Sequence, residues 1–303
     1  MSAPSAAADD PSGTRDRTRA FAALLAGGAM IAFAPIFVRV AETGPVASAF
    51  WRTALAVPFL WIWARATRAG PSADGAPTLP LLPVVLAGFF FAGDLAVWHV
   101  SILFTSVASS TLLANLAPIF VTLGAWLLFG QRVTPLFLVG MTLALAGAML
   151  LVGPGFSAAS SRRALLGDGL GVLTAMFYGA YMLAIARARE HADTASIMAR
   201  STTVCALVLL PVALAFGDAM LPQTLSGWLV LLGLALLCQT AGQSLIAYAM
   251  AHLPASFSSV SLLVQPVLAA GYAWLLLGER IAPAQALGGI VVLAGILLAR
   301  RGS

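Results

Sequence analysis

Long apolar runs separated by short polar punctuation make up almost the whole chain. Ten runs stand out, at about 20–41, 46–64, 80–103, 106–129, 134–153, 167–187, 195–216, 226–250, 255–277 and 282–299. As a helix rising 1.5 Å per residue, each can cross about 30 Å of hydrocarbon. An open strand would leave backbone groups unpaired in lipid, so the runs predict ten transmembrane helices in an all-α polytopic membrane protein. Glu42 to Pro45, Gly130 to Pro135 and Gly278 to Pro283 mark polar joints. Ser101 to Ser106 and Ala251 to Pro254 barely interrupt the apolar character, so the helices they join must turn tightly. Residues 1–19 are small, polar and charged and read as a disordered cytoplasmic tail.

Composition agrees. The 303 residues are 60% apolar and 9% charged, against about 45–50% and 25% for soluble domains. The mean hydropathy of +0.96 excludes a disordered chain and argues against a water-soluble enzyme. The net charge of +5 comes from sixteen Arg and no Lys, against eleven acids. The arginines are scattered or flank apolar runs, which is a membrane-orientation pattern rather than a nucleic-acid surface. With the amino terminus inside, Arg15, Arg17, Arg19, Arg65, Arg68, Arg132, Arg187, Arg189, Arg300 and Arg301 fall on the inner side. Arg39, Arg162, Arg163 and Arg280 fall outside. That bias places both termini in the cytoplasm. Arg52 and Arg200 lie within runs near an end and read as snorkelling to the interface. Cys205 and Cys238 read as small core residues.

The chain also matches itself at a constant shift of 148 residues. Ala125-Trp126-Leu127-Leu128 recurs as Ala273-Trp274-Leu275-Leu276. The same shift pairs Pro118 with Pro266, Gly130 with Gly278, Arg132 with Arg280, Pro135 with Pro283, Gly140 with Gly288 and Gly147 with Gly295. Arg39, Glu42 and Arg52 fall on Arg187, Glu190 and Arg200. Each copy holds five spans, an odd number, so the second enters the membrane from the opposite side. Such inverted repeats can exchange conformations around a midplane site.

The stretch from Thr105 through Asn115 to Phe120, together with Trp126-Leu-Leu-Phe-Gly-Gln-Arg132, resembles the drug/metabolite transporter superfamily, EamA type. Leu262-Leu-Val-Gln-Pro-Val267 and Trp274-Leu-Leu-Leu-Gly-Glu-Arg280 extend the resemblance to the second copy. Gln131 departs from the acid the family often carries there, present at Glu279. The resemblance covers about 20–300 and implies two EamA units, 20–153 and 167–300, joined by a loop at 154–166. It further implies an inner-membrane carrier, commonly an exporter of amino acids or related metabolites. Its central cavity would be built from the first, third and fourth helices of each half.

Asp94 lies well inside the third run, where a carboxylate is costly unless neutral, paired or beside a watery cavity. It reads either as a protonatable group that couples transport to a proton gradient or as a hydrogen-bonding tether. The shift places Gly242 opposite it, so the acid belongs to one copy only. Trp98, one turn on, shares its face; His99 is turned away and serves as a substrate contact or a packed histidine. Asn115 sits close to Pro118, and Gln265 adjoins Pro266. The two prolines free backbone carbonyls and are candidate pivots. Gln239 and Gln243 share one face of the eighth run, which should therefore point inward. Tyr178 and Tyr181 pair in the sixth run, and the shift aligns Phe33 with Tyr181.

These residues, Phe33, Trp98, His99, Asn115, Tyr178, Tyr181, Gln239, Gln243 and Gln265, are the candidate substrate contacts. No nucleophile–base pair, metal-ligand spacing or phosphate loop is evident, so no enzyme activity, cofactor or metal is expected. The expected partners are a small-molecule substrate and the lipid bilayer, with no nucleic acid; the oligomeric state is left open. A drug or nucleoside carrier of the same fold and a non-transporting membrane receptor remain as alternatives.

Overall fold

The computed structural model describes residues 11–68, 81–152, 161–217, 219–278 and 280–303. Residues 1–10 of the expected tail, much of the expected linker and Glu279 lie outside these residues. Among the described residues, ten helices are long and apolar enough to cross a membrane. They are α1 (Arg15–Val40), α2 (Pro45–Thr67), α3 (Leu81–Ser101), α4 (Ser109–Phe129), α5 (Pro135–Val152), α6 (Arg162–Arg189), α7 (Thr194–Phe216), α8 (Leu225–Ala249), α9 (Ala255–Leu276) and α10 (Pro283–Arg301). Each coincides with one apolar run. The helix that opens α1 begins at Pro11, so residues 11–19 are helical rather than a disordered tail. Arg17 and Arg19 are good helix formers with no breaker between them and the apolar run. Near the other terminus the Arg300 guanidinium sits 4.4 Å from the Phe21 ring centroid, so both ends of the chain meet on one face.

Local chemistry sets the helix ends. Ser106, Ser161, Asp193 and Thr224 accept backbone N–H bonds at helix starts, at 3.0, 3.2, 2.8 and 3.1 Å. The symmetry-related Gly130 and Gly278 adopt φ of 65° and 67° to close α4 and α9, a left-handed conformation that glycine takes without penalty. α4 and α9 are each broken one turn ahead of the aligned prolines, at Asn115–Leu116 and Leu262–Leu263. α1 breaks at Ala32–Phe33, and α8 contains a π-helical stretch over Leu234–Gly242.

α5 and α10 pack antiparallel over their full length. Gly140 meets the backbone of Gly295 and Ala299, and Gly147 meets that of Gly288 and Val292. The shift of 148 exchanges these two contacts, so the seam maps onto itself about a two-fold axis. This is the inverted repeat seen as geometry. The absence of side chains lets the backbones touch, the usual means of holding helices together where lipid removes the hydrophobic drive.

Departures from the two-fold are informative. On the face that carries the termini, the first turns of α9 pack on the second half of α4. On the far face, the symmetry-related parts, the first turns of α4 and the second half of α9, make no comparable packing contact among the described residues. Burial follows suit: Pro118, Val121, Thr122 and Ala125 on α4 are buried, whereas Pro266, Ala269, Ala270 and Ala273 on α9 are only half-buried. Among the described residues, α4 and α9 thus pack more closely on the terminal face than on the far one. Around the bundle, Ile62, Leu128, Leu165, Leu207 and Leu225 point outward and give the apolar belt that lipid requires.

Candidate functional site: a one-sided polar cluster at mid-height

α2 runs between α7, α3 and α8, and this packing buries Arg52 to 7% exposure. The expectation that Arg52 snorkels to the interface is therefore incorrect. Its chain turns into the bundle, where Nε donates to Gln239 Oε1 at 3.1 Å and the guanidinium lies 5.6 Å from the Phe91 ring centroid. Position near a helix end suggested escape to water, but the neighbouring helices close that route and offer an amide and a π-face instead.

From Arg52 the cluster extends in two directions. Gln239 passes a hydrogen bond from Nε2 to Thr202 Oγ1 at 3.2 Å. Phe91 stacks on Tyr181 with centroids 4.7 Å apart, and the Tyr181 hydroxyl donates to Gln243 Oε1 at 3.3 Å. Gln239 and Gln243 are both buried, as their shared face predicts. Gln239 sits in the π-helical stretch of α8, a departure from α geometry common where a side chain must be aimed. Tyr178 packs 5.8 Å from Tyr181 and interacts with Gln265, Asp94 and Arg52.

Asp94, on α3, is half-buried and feels the charge of Arg52. Among the described residues it makes neither an ion pair nor a hydrogen bond, so the tethering role has no partner. Arg52 Nη2 is buried without a hydrogen-bond partner among the described residues.

The remaining candidates fall outside this network. Phe33, at the break in α1, stacks on Tyr272 of α9 with centroids 4.0 Å apart. Trp98 meets His99 edge to face at 4.9 Å. His99 is buried with Nδ1 on the carbonyl of Leu95 in its own helix, the arrangement of a packed histidine. Asn115 caps the first segment of α4, and its Nδ2 is buried without a partner among the described residues. Sequence reasoning missed Arg52, Phe91, Thr202 and Tyr272. For Arg52 a signal was available, since an ionisable side chain inside a span is by default a functional candidate.

The loops break the symmetry too. On the far face Glu42 accepts the Thr224 hydroxyl and the N–H groups of Gln223 and Thr224, the latter two at 2.7 and 3.1 Å. The Thr224 hydroxyl above all holds this carboxyl below the usual carboxylate range, and the two backbone N–H groups act in the same direction. On the terminal face the related Glu190 pairs with Arg187 instead. There an apolar cleft of about 700 Å³, lined by Leu82, Leu86, Phe90, Phe129 and Leu183, opens between α3, α4 and α6.

The model of the EamA-like transporter family matches twice, over residues 18–153 and 165–301. The chain belongs to the EamA-like transporter family. It is a multi-pass membrane transporter with two inverted five-helix repeats. An uncharacterized transporter of Archaeoglobus fulgidus is 26% identical over 87% of this chain and 91% of its own. The pseudopaline exporter CntI of Pseudomonas aeruginosa is 27% identical over 83% of this chain and 84% of its own. A probable terminal-alkyne amino-acid exporter of Streptantibioticus cattleyicolor is 30% identical over 64% of each chain. A solved crystal structure superposes with a TM-score of 0.79 at 19% identity, covering 95% of this chain and 97% of that one, a likeness of fold alone.

Proposed function

We propose that this carrier exports small metabolites, amino acids foremost, across the inner membrane by alternating access and without enzymatic chemistry. The observation that carries this reading is the buried cluster of a cation, amides and phenols inside a bundle whose α4 and α9 pack more closely on one face than on the other. A polar centre of this kind is expensive in a bilayer and serves a solute that crosses it. The exporter names of two relatives support the direction and the class.

In this reading both termini are cytoplasmic, as the arginine bias favours. The repeats are 20–153 and 167–300. Tyr178, Tyr181, Gln239, Gln243 and Gln265 form the floor of the cleft, and Phe33, Trp98, His99 and Asn115 belong to its walls. Rocking occurs at the broken turns ahead of Pro118 and Pro266. Asp94 takes up a proton when the site faces one side and releases it on the other. Because Arg52 stands beside Asp94, a purely cationic drug is disfavoured as substrate.

Purified protein in liposomes, loaded with unlabelled amino acids and challenged with labelled ones, tests the reading. Exchange of one or more amino acids, accelerated by a pH gradient in the wild type but not in Asp94→Asn, is the expected result. Failure to exchange any amino acid overturns the substrate assignment. A gradient without effect overturns the coupling role.

A further inference from the structure

We infer that Arg52 and Asp94 form a divided charge pair that recognises the carboxylate and the ammonium of a single zwitterionic substrate. The inference rests on the reading of the cleft as a carrier site and gives that site its chemistry.

Three observations lead to it. First, Arg52 is bound on one side only. Nε is held by Gln239 and the ring of Phe91 lies against the guanidinium, but Nη2 is buried with no acceptor among the described residues. A guanidinium out of water ordinarily finds acceptors for its donors, and one left over calls for an incoming oxygen.

Second, the counter-charge is present but withheld. Asp94 is close enough to feel Arg52, yet no Arg52–Asp94 ion pair forms within 4 Å and the carboxylate accepts no hydrogen bond among the described residues. A pair kept for structure would close, because contact is what offsets desolvation. Here Gln239 and Phe91 restrain the cation on α2 while the acid stays on α3.

Third, the arrangement occurs once. The shift that relates the repeats takes Arg52 to Arg200 but Asp94 to Gly242, so only one side of the two-fold carries both poles.

Two opposite poles set apart suit a ligand with the same two poles. An α-amino acid carries its ammonium and carboxylate on one carbon. A ligand with a single charge leaves one pole of the protein uncompensated. Phe91 against the guanidinium, with Tyr181 and Tyr178 next to it, supplies aromatic surface for a side chain.

Calorimetric titration of the full chain in nanodiscs with three probes tests this: L-phenylalanine, phenethylamine, which lacks the carboxylate, and 3-phenylpropanoate, which lacks the ammonium. Wild type should prefer phenylalanine to either analogue by at least about tenfold, the scale of one charge-assisted hydrogen bond. Arg52→Gln should lose that preference over the amine and keep the amine's affinity. Asp94→Asn should do the reverse, keeping the affinity for the acid. The retained analogue in each variant shows that the protein is folded. Equal weakening of amine and acid in either variant overturns the pairing, as does a wild type that binds no phenylalanine or binds an analogue more tightly. In the liposome assay, exchange of amino acids without this split removes the charge pair alone. An absence of exchange removes the export reading itself.

Discussion

The two sides of the pseudo-two-fold axis share a scaffold and differ in chemistry. On one side stand Arg52, Asp94, Tyr178, Tyr181, Thr202, Gln239, Gln243 and Gln265. Their counterparts at the shift of 148 are Arg200, Gly242, Met30, Phe33, Ala54, Phe91, Leu95 and Ala117. Except for arginine, every polar group faces an apolar or small residue. What the repeats have retained in common is what places helices: the glycines of α5 and α10, the prolines of α4 and α9, and the left-handed glycines that end them. What they no longer share is the polar lining of the cluster proposed to meet the solute. A duplicated frame thus holds one such polar cluster rather than two, and Phe91, the mirror of Gln239, is the ring beneath the Arg52 guanidinium.

Four measurements can break or sharpen this contrast. The largest effect is expected in the shared frame. Gly295→Leu drives a side chain into the backbone of Ala144 and Gly140. It should abolish monodisperse protein in size-exclusion chromatography, since even ordinary overpacking costs about 1–3 kcal/mol. Next comes the mirrored arginine pair. Arg52→Gln should cut amino-acid exchange at least about tenfold through loss of a charged hydrogen bond. Arg200→Gln, whose side chain is only half-buried, should leave exchange within about twofold, as surface-like changes do. Equal losses would erase the distinction between the sides.

A smaller effect is expected for Tyr181→Phe. It removes the hydrogen bond to Gln243 but keeps the ring on Phe91, so exchange should fall about three- to tenfold, the equivalent of roughly 1 kcal/mol. The smallest belongs to Glu42. Its carboxyl is held below the usual range, so the stabilisation is complete above about pH 4.3, the ordinary value, and fades as pH falls through the lowered one. Thermal unfolding of the wild type should therefore lose more on acidification below about pH 4 than that of Glu42→Gln. A parallel pH dependence would mean that the contact of the α1–α2 loop with Thr224 carries no weight.

Much of the frame was legible in the sequence. Ten spans and a 148-residue repeat follow from hydropathy and from a few Arg, Pro, Trp and Gly positions. The inward face of Gln239 and Gln243 follows from the cost of amides in lipid. The site was legible only in part, for identifiable reasons. Arg52 is seven residues from the start of α2, a distance at which a long side chain can reach either water or the core. Only the packing of α7, α3 and α8 around it decides. Tyr272 looked like one aromatic among many until the break in α1 brought Phe33 onto its ring. At His99, a chemically able residue, the packing reading of the sequence finds support in the ring Nδ1 placed on a carbonyl of its own helix. Spacing along a helix gives the face of a residue but not the inter-helix gap that the face meets.

The glycine seam between α5 and α10 bears on how such a molecule moves. Backbones in direct contact leave no slack for hinging at that line, and the seam coincides with the axis that exchanges the two halves. In the proposed rocking cycle it is the spindle: α1 to α4 and α6 to α9 are the parts that swing, and these two helices are the fixed shaft against which each stroke is taken.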